Sequence, residues 1–275
     1  MALLPVPQPY DFFRSTDRFR VYGPDRATVW QDGGLHRVID GREVRIEAAD
    51  GGVRVEPCEP GIERHVAFLL GLPLDLAAFW AWARGEPVLA GLEAPLAAYR
   101  PVLAPDPWEA LVTAITAQQV SLQSAFAIRA RFVERFGERR RVAWAFPARK
   151  RVARVREEEL LALGFSRRKA WYLVGLARSE LDPGALAALP DGAVIEAITG
   201  VRGLGRWSAD WFLARALARP RGWPAGDLGL RRAVSRFYGG GREMSEQEVR
   251  AVGERFGAHA NVTAHMLLAG ARIVG

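Results

Sequence analysis

The chain has 275 residues, 49% of them hydrophobic, with 38 basic against 31 acidic side chains and a net charge of +7, enough to bury a substantial core in one large domain or two smaller ones. Its single cysteine, Cys58, excludes an internal disulfide framework and any four-cysteine zinc or iron–sulfur site. No apolar run approaches the roughly 20 residues that span a bilayer, and the opening Met1-Ala2-Leu3-Leu4-Pro5 lacks the basic flank and apolar core of a signal peptide, so a cytoplasmic protein without membrane contact is expected.

The first part of the chain reads as strands. Residues 18–22, 28–31, 35–39, 43–47 and 52–56 alternate apolar with polar side chains, separated by the turn sequences Gly23-Pro24-Asp25, Asp32-Gly33-Gly34, Asp40-Gly41 and Asp50-Gly51. An antiparallel sheet with one buried face follows. From about Leu72 the period becomes helical. Asp106-Pro107-Trp108-Glu109 is a helix start, with an Asp N-cap, Pro at the first position and Glu completing a capping-box pattern; Trp108, Leu111, Val112 and Ile115 form its inward stripe. The next helix runs from about 121 to 136, with Leu122, Ala125, Phe126, Val133 and Phe136 inward and Gly137 as its stop. Further helices are expected over 157–163, 167–177, 191–198, 206–217, 227–237, 245–256 and 261–273. The fold class is α+β: a small N-terminal antiparallel β domain over 1–72 and a large helical domain over 73–275.

Between the helices at 191–198 and 206–217 lies Ile198-Thr199-Gly200-Val201-Arg202-Gly203-Leu204-Gly205-Arg206-Trp207-Ser208-Ala209. A Gly-x-Gly hairpin there can press backbone amides against a phosphate, since a Cβ would block close approach and disfavour a positive φ. The following helix opens with Gly226-Asp227-Leu228, which sets a carboxylate beside the gripped strand. Residues 199–236 carry 8 Arg against 2 Asp, whereas residues 1–60 carry 8 Arg against 10 acidic residues; the basic excess surrounds the hairpin, as a phosphate-binding face requires. The combination suggests an enzyme that holds DNA and acts on a nucleotide. Each part also has a plain reading: the hairpin as a helix connector, Asp227 as an ordinary N-cap, the nearby tryptophans as core.

The hairpin and its acid resemble the helix-hairpin-helix DNA glycosylases, and within them the AlkA-type 3-methyladenine DNA glycosylase II group. Pro9-Tyr10-Asp11, Ile115-Thr116-Ala117-Gln118-Gln119-Val120-Ser121, and Ala162-Leu163-Gly164-Phe165-Ser166 followed by Arg168-Lys169-Ala170 have counterparts there in the same order. The resemblance implies a TBP-like N-terminal β domain, a helical bundle with the active site in a cleft, and a nucleoid-associated repair enzyme whose partner is damaged double-stranded DNA. Asp227 becomes the catalytic acid: breaking an N-glycosidic bond develops positive charge on the sugar, which a carboxylate stabilises, and helix N-termini favour carboxylates. The amides of Gly203, Gly205 and Ser208 would contact a phosphate with Arg206 beside them. The main-chain carbonyls of Thr199, Val201 and Leu204 would hold a structural Na+ or K+; no other cofactor and no iron–sulfur cluster are expected.

Strand-cleaving members have a Schiff-base lysine where this chain has Trp207, and neither Lys150 nor Lys169 lies in the hairpin, so a monofunctional, water-using enzyme without lyase activity is implied. Trp207, Trp211 and Leu228 would line the base pocket, where indole faces attract a cationic base such as 3-methyladenine or 7-methylguanine. Gln118 and Gln119 would enter the gap left by the flipped base, Gln119 standing where a relative has Leu. Arg202 replaces the family's usual Pro. Arg18 and Leu228 replace pocket aromatics of a relative, and Leu268 a further Trp, so the pocket is less aromatic. Excision of deaminated bases (hypoxanthine, uracil) and a non-catalytic damaged-DNA-binding protein are the alternatives. His259 is expected near the cleft in a structural role, and a monomer is the default.

Overall fold

The computed structural model describes residues 1–273. Strands β1 (Ala2–Pro5), β2 (Thr28–Gln31), β3 (Gly34–Ile39), β4 (Arg42–Ala49) and β5 (Gly52–Glu56) form an antiparallel sheet in the order β1-β5-β4-β3-β2. Asp40 and Gly41, with φ of +49° and +76°, make the β3–β4 turn, the left-handed pair that a two-residue hairpin of this hand requires. Val44 and Ile46 of β4 and Val53 and Val55 of β5 are fully buried in one core.

Residues 18–22 depart from expectation. Between β1 and β2 the chain forms two short helices, α1 (Phe12–Ser15) and α2 (Arg18–Val21). The carbonyl of Asp17 accepts the amides of Arg20 and Val21 at 2.8 and 3.1 Å. Four or five alternating residues fit either period, and local bonds prevail where no neighbouring strand offers a ladder.

Helix α3 (Pro60–Leu69) covers the sheet with Ile62, Val66 and Leu69. The helices beyond it divide into two cores. Helices α4 (Leu76–Ala83) and α5 (Pro87–Leu96) pack with the C-terminal α13 (Leu228–Tyr238), α14 (Glu246–Glu254) and α15 (Ala260–Ile273) around Phe79, Leu96, Leu230 and Met266. Between these halves the chain builds the second core from α6 (Pro107–Ala117), α7 (Leu122–Phe136), α8 (Arg149–Val152), α9 (Glu157–Leu161), α10 (Arg167–Arg178), α11 (Asp191–Thr199) and α12 (Arg206–Arg215), around Leu111, Phe132, Leu173 and Phe212. Side chains fix where they start: Asp75, Asp106, Ser121, Ser166, Asp227 and Ser245 each accept a first-turn amide. This part also contains a two-stranded hairpin, β6 (Glu138–Arg139) and β7 (Trp144–Ala145). Leu122, expected inward, is 48% exposed, because the first turn of α7 stands at the rim of the cleft described below.

Strand β3 is buried on both faces, and that is how the sheet is tied to the helices. On one side His36 meets Glu43 of β4 at 3.2 Å, and Glu43 in turn accepts the amides of Val142 and Ala143 at 2.8 and 3.2 Å. On the other Arg37 donates to Thr28, to His65 and to both carboxylate oxygens of Glu109 in α6. Glu109 therefore does not close the expected capping box; its carboxylate is bound by Arg37 and Arg129, and Arg129 in turn holds Asp25.

His65 accepts the Arg37 Nε–H at Nε2, 3.0 Å away, a bond that only the neutral imidazole can make. Burial, and then the Arg37 charge, push its pKa down from 6.5 to about 3. Between those values the unfolded chain binds a proton that the folded one refuses, so stability falls as pH drops from 6.5 towards 3. Thermal melts from neutral to mildly acidic pH are expected to show this decline. His65→Gln, which keeps an acceptor for Arg37 without titrating, should flatten it; an unchanged slope in that variant would count against the assignment.

Candidate active site

Residues 200–205 join α11 to α12 in a turn built around one glycine. Gly203 has φ +94°, and a Cβ there would lie 2.2 Å from Cγ of Tyr172. The turn is pinned from three sides. Gln118 donates Nε2–H to the Gly203 carbonyl at 2.8 Å, the Leu204 amide donates to Val201 at 3.0 Å, and the Arg202 guanidinium stacks 4.1 Å from the Trp171 ring centre. Arg202, standing in place of a rigid proline, thus anchors the loop by its own contact.

Gly205 caps α12 and has no side chain to accept the first-turn amides, and among the described residues no side-chain acceptor is found for the Ser208 amide. A Cβ on Gly205 would meet nothing within 4 Å. An uncapped helix start with open space before it is suited to an anion, through both its free N–H groups and its dipole. Arg206 flanks it, its Nε bound to Asp210 at 2.8 Å. The carbonyls of Thr199, Val201 and Leu204 run along the same turn; neutral oxygens alone suit a monovalent hard cation. Among the described residues no group of three His, Cys, Asp or Glu gathers into a metal site.

Beside the hairpin lies a cleft of about 1400 Å³, walled by residues of α2, the sheet and both helical cores. Asp227 stands in its wall as the N-cap of α13. One carboxylate oxygen accepts the Leu230 amide at 2.9 Å and the other the Trp207 indole N–H at 3.3 Å, which fixes the orientation of the acid. Trp207 and Trp211, one turn apart on α12, are half-buried in the same wall. Leu228 is 56% exposed at the rim. Opposite, Gln119 is exposed and holds φ +54°, a conformation that non-glycine residues adopt where the surroundings impose it. Gln118 also borders the cleft, but its amide is committed to the hairpin. The structure thus brings Asp227, Trp207, Trp211, Leu228, Gln118 and Gln119 to one cleft; Gly203, Gly205, Arg206, Ser208 and the three carbonyls sit on the adjoining hairpin.

Arg18 and Leu268 line the cleft as well. His259 does not: it stacks on Trp82 with ring centres 4.3 Å apart, a packing role away from the cleft. Three residues that sequence reasoning passed over do line it, Tyr99, Arg215 and His265. Arg215 counts towards the basic excess near the hairpin, but neither Tyr99 nor His265 carries a sequence signal that separates it from core. Lys169 is buried with its ammonium on the Thr116 carbonyl, 2.9 Å away.

The two hairpin glycines are expected to behave differently. Gly203→Ala forces a Cβ into Tyr172 at an unfavourable φ, which should cost about 1–3 kcal/mol of stability. Gly205→Ala should leave the melting temperature unchanged and weaken duplex DNA binding about tenfold or more, because the new methyl stands where a phosphate would approach. Melting curves with affinity measurements on both variants check this; unchanged affinity in Gly205→Ala would exclude the close approach.

Residues 112–258 match the family described as HhH-GPD superfamily base excision DNA repair protein. The chain is 27% identical over 221 residues to a DNA-3-methyladenine glycosylase of Bacillus subtilis, covering 77% of this chain and 73% of that one. It is 34% identical over 131 residues to DNA-3-methyladenine glycosylase 2 of Escherichia coli, 46% of this chain and 44% of that one. The solved structure of a 3-methyladenine DNA-glycosylase from Archaeoglobus fulgidus superposes with a TM-score of 0.88 at 28% identity, covering 98% and 97% of the two chains. The matched stretch holds the hairpin, Asp227 and both cleft tryptophans, and this chain belongs to the HhH-GPD superfamily of base excision DNA repair proteins.

Proposed function

We propose that this protein is a monofunctional DNA glycosylase that hydrolyses the N-glycosidic bond of alkylated bases, of the 3-methyladenine and 7-methylguanine type, flipped from duplex DNA. The observation that carries the reading is Asp227, a carboxylate oriented by Trp207 in a large cleft beside a hairpin suited to a phosphate. The names of the bacterial and archaeal relatives support the substrate class.

In this reading the amides of Gly203, Gly205 and Ser208 grip a phosphate of the damaged strand, and Arg206 adds charge. The carbonyls of Thr199, Val201 and Leu204 would hold a monovalent cation, which would add positive charge to the hairpin. Gln119 enters the duplex where the base has left, and Trp207 and Trp211 receive the base. The glycosidic bond then breaks with its electron pair going to the base. Asp227 stabilises the positive charge left on the sugar and orients the water that adds to it, whose proton passes to solvent. A cationic alkylated base departs neutral, so little further help is needed. Trp207 stands at the position of a Schiff-base lysine, which supports hydrolysis without strand cleavage.

The test is release of free base from methylated duplex DNA. Liberation of 3-methyladenine or 7-methylguanine with an abasic strand that breaks only in alkali, and no borohydride trapping, is the expected result. Release confined to hypoxanthine or uracil would keep the chemistry and move the substrate, a reading favoured by Arg18, Leu228 and Leu268 in a less aromatic cleft. Intact DNA binding with no release from any substrate would establish a damage-binding protein instead.

A further inference from the structure

We propose that Lys169 and Gln118 are positioning residues for Gln119: Lys169 ends the helix before it, Gln118 ties it to the hairpin, and the group that enters the duplex is thereby fixed relative to the group that grips the backbone. The inference rests on the reading above that Gln119 fills the place of a flipped base.

The first tie is where α6 ends. The last carbonyls of a helix have no intrahelical donor. The Gln118 amide reaches Ile115 at 3.4 Å, and the Lys169 ammonium, from α10, donates to the Thr116 carbonyl at 2.9 Å. Thr116 and Lys169 are 1% and 7% exposed. A buried ammonium is costly unless it is bound, and among the described residues no carboxylate pairs with this one; burial lowers its pKa with no acid to oppose the shift. What holds it is the negative end of the α6 dipole. The helix stops at Ala117, and Gln118 leaves it with φ −58° and ψ 127°. Gln119 then turns at φ +54°, and Ser121 opens α7 by accepting the Ser124 amide at 3.2 Å.

Gln118 makes the second tie. Its Nε2–H on the Gly203 carbonyl, 2.8 Å away, joins this loop to a turn whose glycine is packed against Tyr172. Tyr172 and Lys169 are three residues apart on α10 and so share one face of it. One helix face therefore supports both the Gln119 loop and the hairpin, and Gln118 links the two directly. The Gln119 side chain itself is exposed; its backbone is what the ties fix.

A glutamine in the left-handed region persists only where its surroundings impose it. With either tie removed the loop relaxes, and the side chain spends less time where the base has left. Extruding a base costs unstacking, so a side chain already in place favours the flipped state more than one that must first be ordered.

Two measurements on Lys169→Met, Lys169→Arg, Gln118→Leu and Gln119→Ala test this. One is single-turnover release of 7-methylguanine or hypoxanthine, whichever the wild type releases, from duplex DNA. The other is affinity for a duplex with an uncleavable abasic analogue relative to the intact duplex. The wild type is expected to prefer the abasic duplex. Lys169→Met and Gln118→Leu should slow release about 10- to 100-fold and lose most of that preference, as Gln119→Ala does, with intact-duplex affinity retained. Lys169→Arg, which keeps a donor, should recover part of both. Adding Lys169→Met to Gln119→Ala should bring no further loss, because a positioning residue acts only through the residue it positions. Additive losses in the double variant, an unchanged abasic preference in Lys169→Met and Gln118→Leu, or a wild type with no such preference overturns the proposal and leaves the glycosylase reading standing. Abasic preference with these variant effects, but no base released by the wild type, overturns the glycosylase reading and supports the positioning roles.

Discussion

Asp227→Asn is expected to slow base release about 100- to 1,000-fold while leaving duplex DNA affinity within a few fold of the wild type. The physical basis is that asparagine matches aspartate in shape but not in charge. Asp227 does two things in the fold: it accepts the Leu230 amide at 2.9 Å as the cap of α13, and the Trp207 indole N–H at 3.3 Å. Asparagine is as good an N-cap as aspartate, so the helix start and the fold should persist. What is lost is the negative charge facing the sugar at the moment positive charge develops there, together with the acceptor for the Trp207 indole N–H, since the amide nitrogen of asparagine only donates. DNA affinity, carried by the hairpin, should hold or rise once a carboxylate near the phosphates is gone. Release rates on methylated duplex together with equilibrium binding decide the matter. Base release within tenfold of wild type would show that Asp227 is only a cap, and the chemistry would have to be sought elsewhere in the cleft.

Much of this architecture is legible in the sequence because its signals are local. The Asp-Gly turns mark the sheet, and the Asp and Ser N-caps mark α6, α7, α10, α13 and α14. The glycine pair and Asp227 stand close enough in sequence to be read as one constellation. What was not legible depends on distant partners. Glu109 has the spacing of a capping box, yet two arginines from other elements claim its carboxylate; a local rule cannot see a stronger remote competitor. Residues 18–22 alternate like a strand but had no ladder to join. Leu122 matches the inward stripe of its helix, yet it stands at a rim where the neighbouring element is absent. His265 sits in α15 among buried neighbours such as Ala264 and Met266, and nothing in that stretch distinguishes a cleft-facing imidazole from a core one. Arg215 reads as one more surface charge in a basic run. Its place in the cleft follows only from how α12 packs beside α15 and the segment at Val102.

The same remote competitor makes Glu109 the most sensitive structural position. Glu109→Gln is expected to destabilise the protein by about 3–5 kcal/mol, a fall in melting temperature of roughly 10 °C at this chain length. Glu109 is 8% exposed and Arg37 and Arg129 are 5% and 6% exposed, so water cannot replace a missing partner. With Glu109 ionised, two guanidinia face two carboxylates, Glu109 and Asp25. With glutamine there, two buried cations share Asp25 alone, whose oxygen already accepts the amides of Ala27 and Thr28 at 2.9 and 3.1 Å. The pH dependence has a definite sign. Burial alone would raise the Glu109 pKa, but the charges of Arg37 and Arg129 hold it at about 2, against 4.5 for an ordinary glutamate. Its contribution is therefore complete above pH 4.5 and is lost as pH falls towards 2. Glu159→Gln provides the contrast, since its pair with Arg135 spans 3.6 Å across a surface where Arg135 is 60% exposed; its removal should cost under about 1 kcal/mol. Denaturation of both variants at neutral pH separates the cases. Equal small losses would mean that solvent reaches the Arg37–Glu109–Arg129 cluster and that the sheet is tied to the helices by apolar contact alone.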